Sequence, residues 1–324
     1  METSEVSPLL EVSEVSVEYA SPSGRIRAVD RVSLTVDRGE VLGLAGESGC
    51  GKSTLAQAVL RILPPPAVIT GGHAFFEGQD LFDLDEPALR KVRWKRLSMV
   101  FQSALDSLSP VLSLGEQITD TLHAHGFTGS PRARASELLK LVDLDPSLVD
   151  AWPHQLSGGM RQRAGIALAL ALDPALVLLD EPTTALDVIV EHQILQRLLA
   201  LKAERGFAMV FITHDLARML QIADRIAILY AGRLVEVAPA STLKRNARHP
   251  YTRGLLAAFP SVHGGREPLG IGGAPPSLAS PPPGCRFHPR CELAIDLCRT
   301  EQPKLVQFGE KHFAACHVAA AART

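Results

Sequence analysis

The first stretch of the chain alternates apolar and polar residues and then turns continuously apolar. Leu9 to Tyr19 and Ala28 to Val36 largely alternate, the period of strands with one wet face, and they are expected to pair antiparallel. Val41 to Ala45, entered from Glu40, has the unbroken pattern of a buried strand, and Leu55 to Ile62 then takes helical spacing. Pro64, Pro65 and Pro66 stop the chain, and Gly71-Gly72 restarts it before a short strand, His73 to Glu77. Leu97 to Gln102 reads as a buried strand ending in an amide. Leu114 to His123 and Arg132 to Val142 carry helical spacing around Gly126 and Gly129, a small helical insertion. Ser157 is placed to cap a helix running to about Leu172. Two further apolar strands, Ala175 to Pro182 and Phe207 to Thr213, flank a helix from Val188 to Ala203. Arg225 to Tyr230 and Arg233 to Val237, joined by Ala231-Gly232, form a hairpin.

Composition narrows this picture. The 324 residues leave room for a large domain with an appendage, or for two domains. Thirty-three Lys and Arg against thirty-five Asp and Glu give a net charge of −2, without the basic excess of a nucleic-acid footprint. The most apolar stretch, Ala164 to Leu179, is broken by Asp173-Pro174, short of the roughly 18 to 20 residues a membrane helix needs. The first residues, Met-Glu-Thr-Ser-Glu-Val, are acidic and lack the apolar run of a secretory signal, so a cytoplasmic location is expected. In that reducing compartment the five cysteines are not expected to pair as disulfides.

The strongest chemical signal is Gly46-Glu47-Ser48-Gly49-Cys50-Gly51-Lys52-Ser53-Thr54, a G-x-x-x-x-G-K-[ST] loop between a predicted strand and a predicted helix. Glycines let consecutive backbone N–H groups and the positive end of the helix converge on phosphate. Lys52 is then expected to reach the β- and γ-phosphates and Ser53 to hold Mg²⁺. Asp180 and Glu181 end an apolar strand together, and burying such a pair without a cation is costly. Asp180 accordingly serves Mg²⁺, directly or through water, and Glu181 polarises the attacking water. Gln102, with an amide that both donates and accepts, has the reach of Mg²⁺ or that water. His214 ends a strand where it contacts a γ-phosphate, and Tyr19 ends one where its ring stacks on a base. Ser157-Gly158-Gly159 opens a second anion-ready helix N-terminus. Cys50 sits where a helix N-terminus lowers a thiol pKa; it is read either as redox-sensitive or as a small residue tolerated in a tight loop.

Taken in order, the phosphate loop, Gln102, Leu156-Ser157-Gly158-Gly159-Met160, Leu178-Leu179-Asp180-Glu181, Ala185-Leu186-Asp187 and His214 resemble the ATP-binding cassette (ABC) subunits of membrane transporters over about residues 9 to 240. The resemblance implies an α/β P-loop NTPase fold, with a mixed-sheet core, an antiparallel β subdomain and a helical subdomain at about 104–160. It also implies that Ser157, Gly158 and Gly159 serve ATP held by a second cassette subunit, identical or a paralogue. Arg248-His249-Pro250-Tyr251-Thr252-Arg253-Gly254-Leu255-Leu256-Ala257-Ala258-Phe259-Pro260, a Pro- and Gly-rich linker, and Gly284-Cys285-Arg286-Phe287-His288-Pro289-Arg290-Cys291 look like the C-terminal extension of dipeptide, oligopeptide and nickel importer ATPases, here residues 241–324. Such importers imply two transmembrane permease subunits, an extracytoplasmic solute-binding protein and a peripheral place on the cytoplasmic membrane face. Peptides are the expected solute and nickel the alternative. A soluble cassette acting on DNA or ribosomes is the rival, lacking here its second cassette, long coiled coil or basic surface.

Cys285, Cys291, Cys298 and Cys316, spaced C-x₅-C-x₆-C-x₁₇-C, are four soft ligands in a short segment. Four thiolates hold zinc or an iron–sulfur cluster, although the spacing matches neither zinc-ribbon nor ferredoxin patterns. The family resemblance favours a [4Fe–4S] cluster over Zn²⁺ and over unmetallated thiols, and His288, His312 and His317 are candidate substitute ligands.

Overall fold

A computed structural model describes residues 7–22, 24–102, 107–183, 186–258 and 270–322. Thr184, Ala185, Phe259, Pro260 and residues 261–269 of the Pro- and Gly-rich linker lie outside the described residues. The chain divides into two compact units with interleaved segments.

One unit, built mainly of Asp83–Ile212, contains three parallel strands in the order Ala208–Ile212, Leu176–Asp180, Leu97–Val100. Every residue of the three is buried. Strands covered on both faces carry no alternation, which is why they read as continuous apolar runs. Around them the helix Val188–Arg205 starts under an Asp187 cap and ends at Gly206 with φ 74°. The expected insertion forms the helices Leu114–Ala124 and Pro131–Leu141. The first is opened by a capping box in which the Ser113 hydroxyl accepts from the Glu116 N–H and the Glu116 carboxylate accepts from the Ser113 N–H.

The other unit comprises Leu10–Thr35, Val41–Phe82 and Thr213 onward. Its first strands, Leu10–Ser21 and Gly24–Val36, are neighbours in a four-stranded sheet completed by Ala67–Phe76 and Gln79–Asp80. The alternation of the first strand breaks at a register shift between Ser13 and Ser16, next to Glu14 at φ 49°. Such a bulge changes which face the following residues present. Val15 and Val17 are buried after the bulge as Leu10 and Val12 are before it, and Glu18, on the opposite face, is only 7% exposed where Arg27 meets its carboxylate at 2.7 Å. The strand expected from His73 starts earlier, at Ala67, because Gly71 and Gly72 are accommodated within it.

In the same unit five strands run in the order Val306–Gly309, His312–Ala314, Arg233–Pro239, Arg225–Tyr230, Val41–Ala45. The first two come from the C-terminal extension, and they pair antiparallel onto the hairpin through Glu236↔Ala314 and Val237↔Phe313. Beneath that junction Glu236 is fully buried. Its carboxylate accepts from the backbone N–H groups of Arg248 and His249, at 2.7 and 2.9 Å, and lies 2.8 Å from His312 Nε2. Burial pushes its pKa up, but these partners outweigh burial and hold it below its ordinary value. Next to it His249 is fully buried, and desolvation lowers its pKa to about 4.

Both shifts make this unit acid-sensitive. The unfolded chain takes up a proton at His249 near pH 6.5, whereas the folded chain resists it until about 4, so stability falls as pH drops through that window. Titration of His249 alone is expected to remove roughly 3 kcal/mol between those limits, with Glu236 adding to the loss at lower pH. Denaturant unfolding measured from pH 7 to pH 4 checks this, and His249→Gln should flatten the slope by about one proton.

Candidate functional site

The strand Val41–Ala45 delivers the chain directly into the phosphate loop, and the helix Lys52–Val59 leaves it. Gly46, Gly49 and Gly51 all have positive φ, at 151°, 77° and 104°. A Cβ on Gly46 would stand 2.2 Å from the Leu229 carbonyl oxygen, and one on Gly51 2.4 Å from that of Ala28. The glycines are thus required twice, for conformation and for close approach. Gly51 in the left-handed region starts the helix at Lys52, three residues earlier than the apolar spacing alone predicts.

Lys52 is buried, and its ammonium donates to the carbonyls of Gly46 and Glu47 at 2.8 and 3.1 Å. Ser53 and Thr54 follow it in the first turn. The Tyr19 hydroxyl lies 3.2 Å from Thr54 Oγ1, which brings the predicted base-stacking ring beside the loop. His214, also in this unit, is exposed after the strand Ala208–Ile212. Cys50 is 4% exposed, and burial raises its thiol pKa despite Lys52 Nζ at 3.7 Å. Of its two readings, the small residue in a tight loop fits this environment and the reactive thiol does not.

In the other unit Asp180 is 3% exposed at the end of its strand. Glu181 follows at φ 44°, with its N–H bonded to the Ile212 carbonyl at 2.9 Å. A non-glycine residue in the left-handed region is strained, and such strain persists where surrounding structure imposes it. The Gln102 amide donates to the Glu181 carboxylate at 3.0 Å. Gln102 and Glu181 therefore form a pair, a link that neither residue's position in sequence announces.

Ser157 caps the helix Gly158–Ala169, accepting from the Met160 N–H at 3.3 Å. A Cβ on Gly159 would stand 2.7 Å from Val190 Cγ1, so glycine permits close packing of this helix start on the next helix. With Asp143, Leu186 and Asp187 these residues line an open cavity of about 450 Å³. The helix N-terminus and Arg163 favour an anionic guest there, whereas Asp143 and Asp187 oppose one.

Several residues around the loop have no sequence signal of their own. Glu47, a variable position of the motif, accepts a bidentate contact from Arg290 at 2.8 and 2.9 Å, and its N–H donates to the Tyr251 hydroxyl at 2.9 Å. Asp30, 2% exposed, is bound by Arg233 at 2.7 Å and by Arg286.

The four clustered cysteines behave differently from expectation. Cys285, Cys298 and Cys316 are buried, and burial raises the thiol pKa of Cys285, to about 11, and those of Cys291 and Cys316. Cys316 accepts from the Ala319 N–H as a helix cap. Among the described residues no three or more His, Cys, Asp or Glu side chains gather closely enough to hold a metal ion. His312 is engaged by Glu236, and His288 Nδ1 lies 3.0 Å from the Cys285 carbonyl. The expectation of a [4Fe–4S] cluster or Zn²⁺ therefore has no support in this geometry.

Residues 29–184 match the family described as "ABC transporter", and residues 235–298 match "Oligopeptide/dipeptide transporter, C-terminal region". The chain is 42% identical over 318 residues to the dipeptide transport ATP-binding protein DppD of Caldanaerobacter subterraneus subsp. tengcongensis, covering 97% of this chain and 98% of that protein. It is 40% identical to the oligopeptide transport ATP-binding protein OppD of Bacillus subtilis, covering 95% and 88%. Among solved structures, the ATP-binding cassette MJ0796 in a dimeric post-hydrolysis state with ADP and Pi superposes with a TM-score of 0.65 at 31% identity, covering 71% of this chain and 98% of that one.

Two expectations follow for the loop. Gly46→Ala should weaken MgATP binding by about tenfold or more in calorimetry, since its Cβ collides with backbone. Cys50→Ala should leave that affinity within about twofold, and the wild-type thiol should resist iodoacetamide at neutral pH in the folded protein.

Proposed function

The chain belongs to the ABC transporter family, in its oligopeptide/dipeptide branch, and is an ATPase; we propose that it energises uptake of dipeptides or oligopeptides. The observation that carries the ATPase reading is the phosphate loop, whose glycine conformations and Lys52 are set between strand and helix for a triphosphate. The peptide reading rests on the extension and on the printed names of the relatives. Nothing in them favours nickel over peptide.

In this proposal the loop amides, Lys52, Ser53 and Thr54 hold the phosphates of ATP, and the Tyr19 ring stacks on the base. Ser53, Gln102 and Asp180 are the residues for Mg²⁺, which supplies charge neutralisation at the transferring phosphoryl group. Glu181 accepts the proton of the attacking water and His214 contacts the γ-phosphate. Gln102, bonded to Glu181, orients that carboxylate. Ser157, Gly158 and Gly159 present their helix N-terminus to ATP bound on a second cassette, so that two subunits complete two sites. ATP then drives closure because it binds the closed pair more tightly than the open one.

The proposed partners are a second cassette subunit, two permeases and an extracytoplasmic binding protein. No helix among the described residues is long and apolar enough to cross a membrane, which is consistent with a peripheral subunit held by permeases at the cytoplasmic face.

Replacing Glu181 by Gln tests the chemistry, because it keeps size and hydrogen bonding but removes the base. Steady-state ATPase of the assembled transporter should fall by about 10² to 10⁴-fold while MgATP affinity stays near wild type. Unchanged turnover in that variant would remove Glu181 from its role.

A further inference from the structure

The phosphate loop is gripped from behind by the chain's own C-terminal extension. Arg290, whose side chain is 6% exposed, closes a two-pronged contact on Glu47, with Nη1–Oε2 at 2.8 Å and Nη2–Oε1 at 2.9 Å. The same guanidinium donates through Nε to the Gly272 carbonyl at 2.9 Å and through Nη1 to the Tyr230 hydroxyl at 3.3 Å. Its Cζ lies 5.8 Å from the Tyr230 ring centroid and 6.0 Å from that of Phe287. Tyr251, also from the extension and fully buried, accepts the Glu47 N–H. Tyr230, Tyr251 and Phe287 pack on one another with centroids 4.5 to 5.4 Å apart, so both polar contacts spring from one aromatic block.

We propose that Arg290 is a positioning residue for ATP binding: it neutralises Glu47 and, with Tyr251, holds the phosphate loop in its open, amide-presenting shape. This rests on the ATPase reading above. Glu47 brings a carboxylate into a loop whose task is to attract a polyanion, and whose Lys52 is tied to the Glu47 carbonyl. Left uncompensated, that carboxylate repels the triphosphate and competes for Lys52. A bidentate guanidinium cancels the charge and fixes the side chain at once. The strength of the pairing is mirrored in Arg290 itself, whose hydrogen bonds to Glu47 drive its pKa upward. Arg290 touches neither the nucleotide nor water in this account; it acts through Glu47.

The test is the dissociation constant for MgATP of the full-length chain, alongside KM and kcat of the assembled transporter and the melting temperature. Arg290→Ala should raise Kd and KM together by about tenfold or more, with kcat at saturating ATP within about threefold of wild type. Adding Glu47→Gln to Arg290→Ala should recover most of that affinity, because the uncompensated charge is gone. An Arg290→Ala chain that melts lower but binds MgATP within twofold of wild type would make Arg290 a structural staple only and overturn the proposal. A double variant as weak as the single one would overturn it too. Should Arg290→Ala fail to fold, Arg290→Lys carries the test: loss of the fork should still weaken binding at least threefold, and unchanged affinity contradicts the idea. Wild-type chain that fails to bind MgATP would instead sink the ATPase reading itself, and the role of Arg290 with it.

Discussion

A polyanion is gripped by backbone N–H groups only where the loop that carries them is prevented from relaxing. Left to itself, the segment from Gly46 to Gly51 would satisfy its amides internally and turn its carbonyls outward. Neighbouring backbone prevents this. The Ala28 and Leu229 carbonyls pack so close to Gly51 and Gly46 that no side chain fits, and the Gly232 N–H bonds the Cys50 carbonyl at 2.9 Å. Gly232 belongs to the hairpin turn, and Asp30 bonds its carbonyl through the backbone N–H at 2.8 Å, so turn and strand form the frame in which the loop is set. Arg286, in the extension, bonds both Asp30 and the Ala231 carbonyl and adds a third wall. Lysine and helix dipole complete the site, but they act only on a loop already held in shape.

Much of this was legible in sequence where physical demand is local. The loop motif specifies glycine conformation, lysine and helix start within nine residues, and the three apolar runs of the carboxylate unit needed no register information to be read as buried strands. Ser157 with its glycines announces a helix start because caps act over three residues. What escaped depends on contacts between distant residues. Glu18 lies on the polar face of its strand yet is buried beside Arg27 of the neighbouring strand, a pairing that no alternation pattern records. Arg290 and Glu47 are 243 residues apart, and an arginine in a Pro-rich tail looks like any solvated charge. Likewise the hydrogen bond from Gln102 to Glu181 joins residues 79 positions apart.

The cysteine-bearing tail shows how a pattern misleads when residue type is weighed without environment. Four thiols in a short segment invite a metal, but among the described residues no three potential ligands gather closely enough to hold one. The residues between the cysteines carry clearer consequences. Arg286, Phe287 and Arg290 contact Asp30, the aromatic block and Glu47 respectively. Further along, His312 meets the buried Glu236, so two points of the extension are tied into the unit that bears the loop. Under the proposal above, folding of the extension and the shape of the phosphate loop are coupled through these contacts.

That coupling is the central claim, and hydrogen–deuterium exchange at the loop measures it most directly. The Glu47 amide, bonded to the Tyr251 hydroxyl, should be protected in the full-length wild-type chain, and Arg290→Ala should speed exchange across Gly46 to Gly51 by about tenfold while leaving the strand Leu176–Asp180 unchanged. Equal exchange at the loop in both proteins would contradict the account.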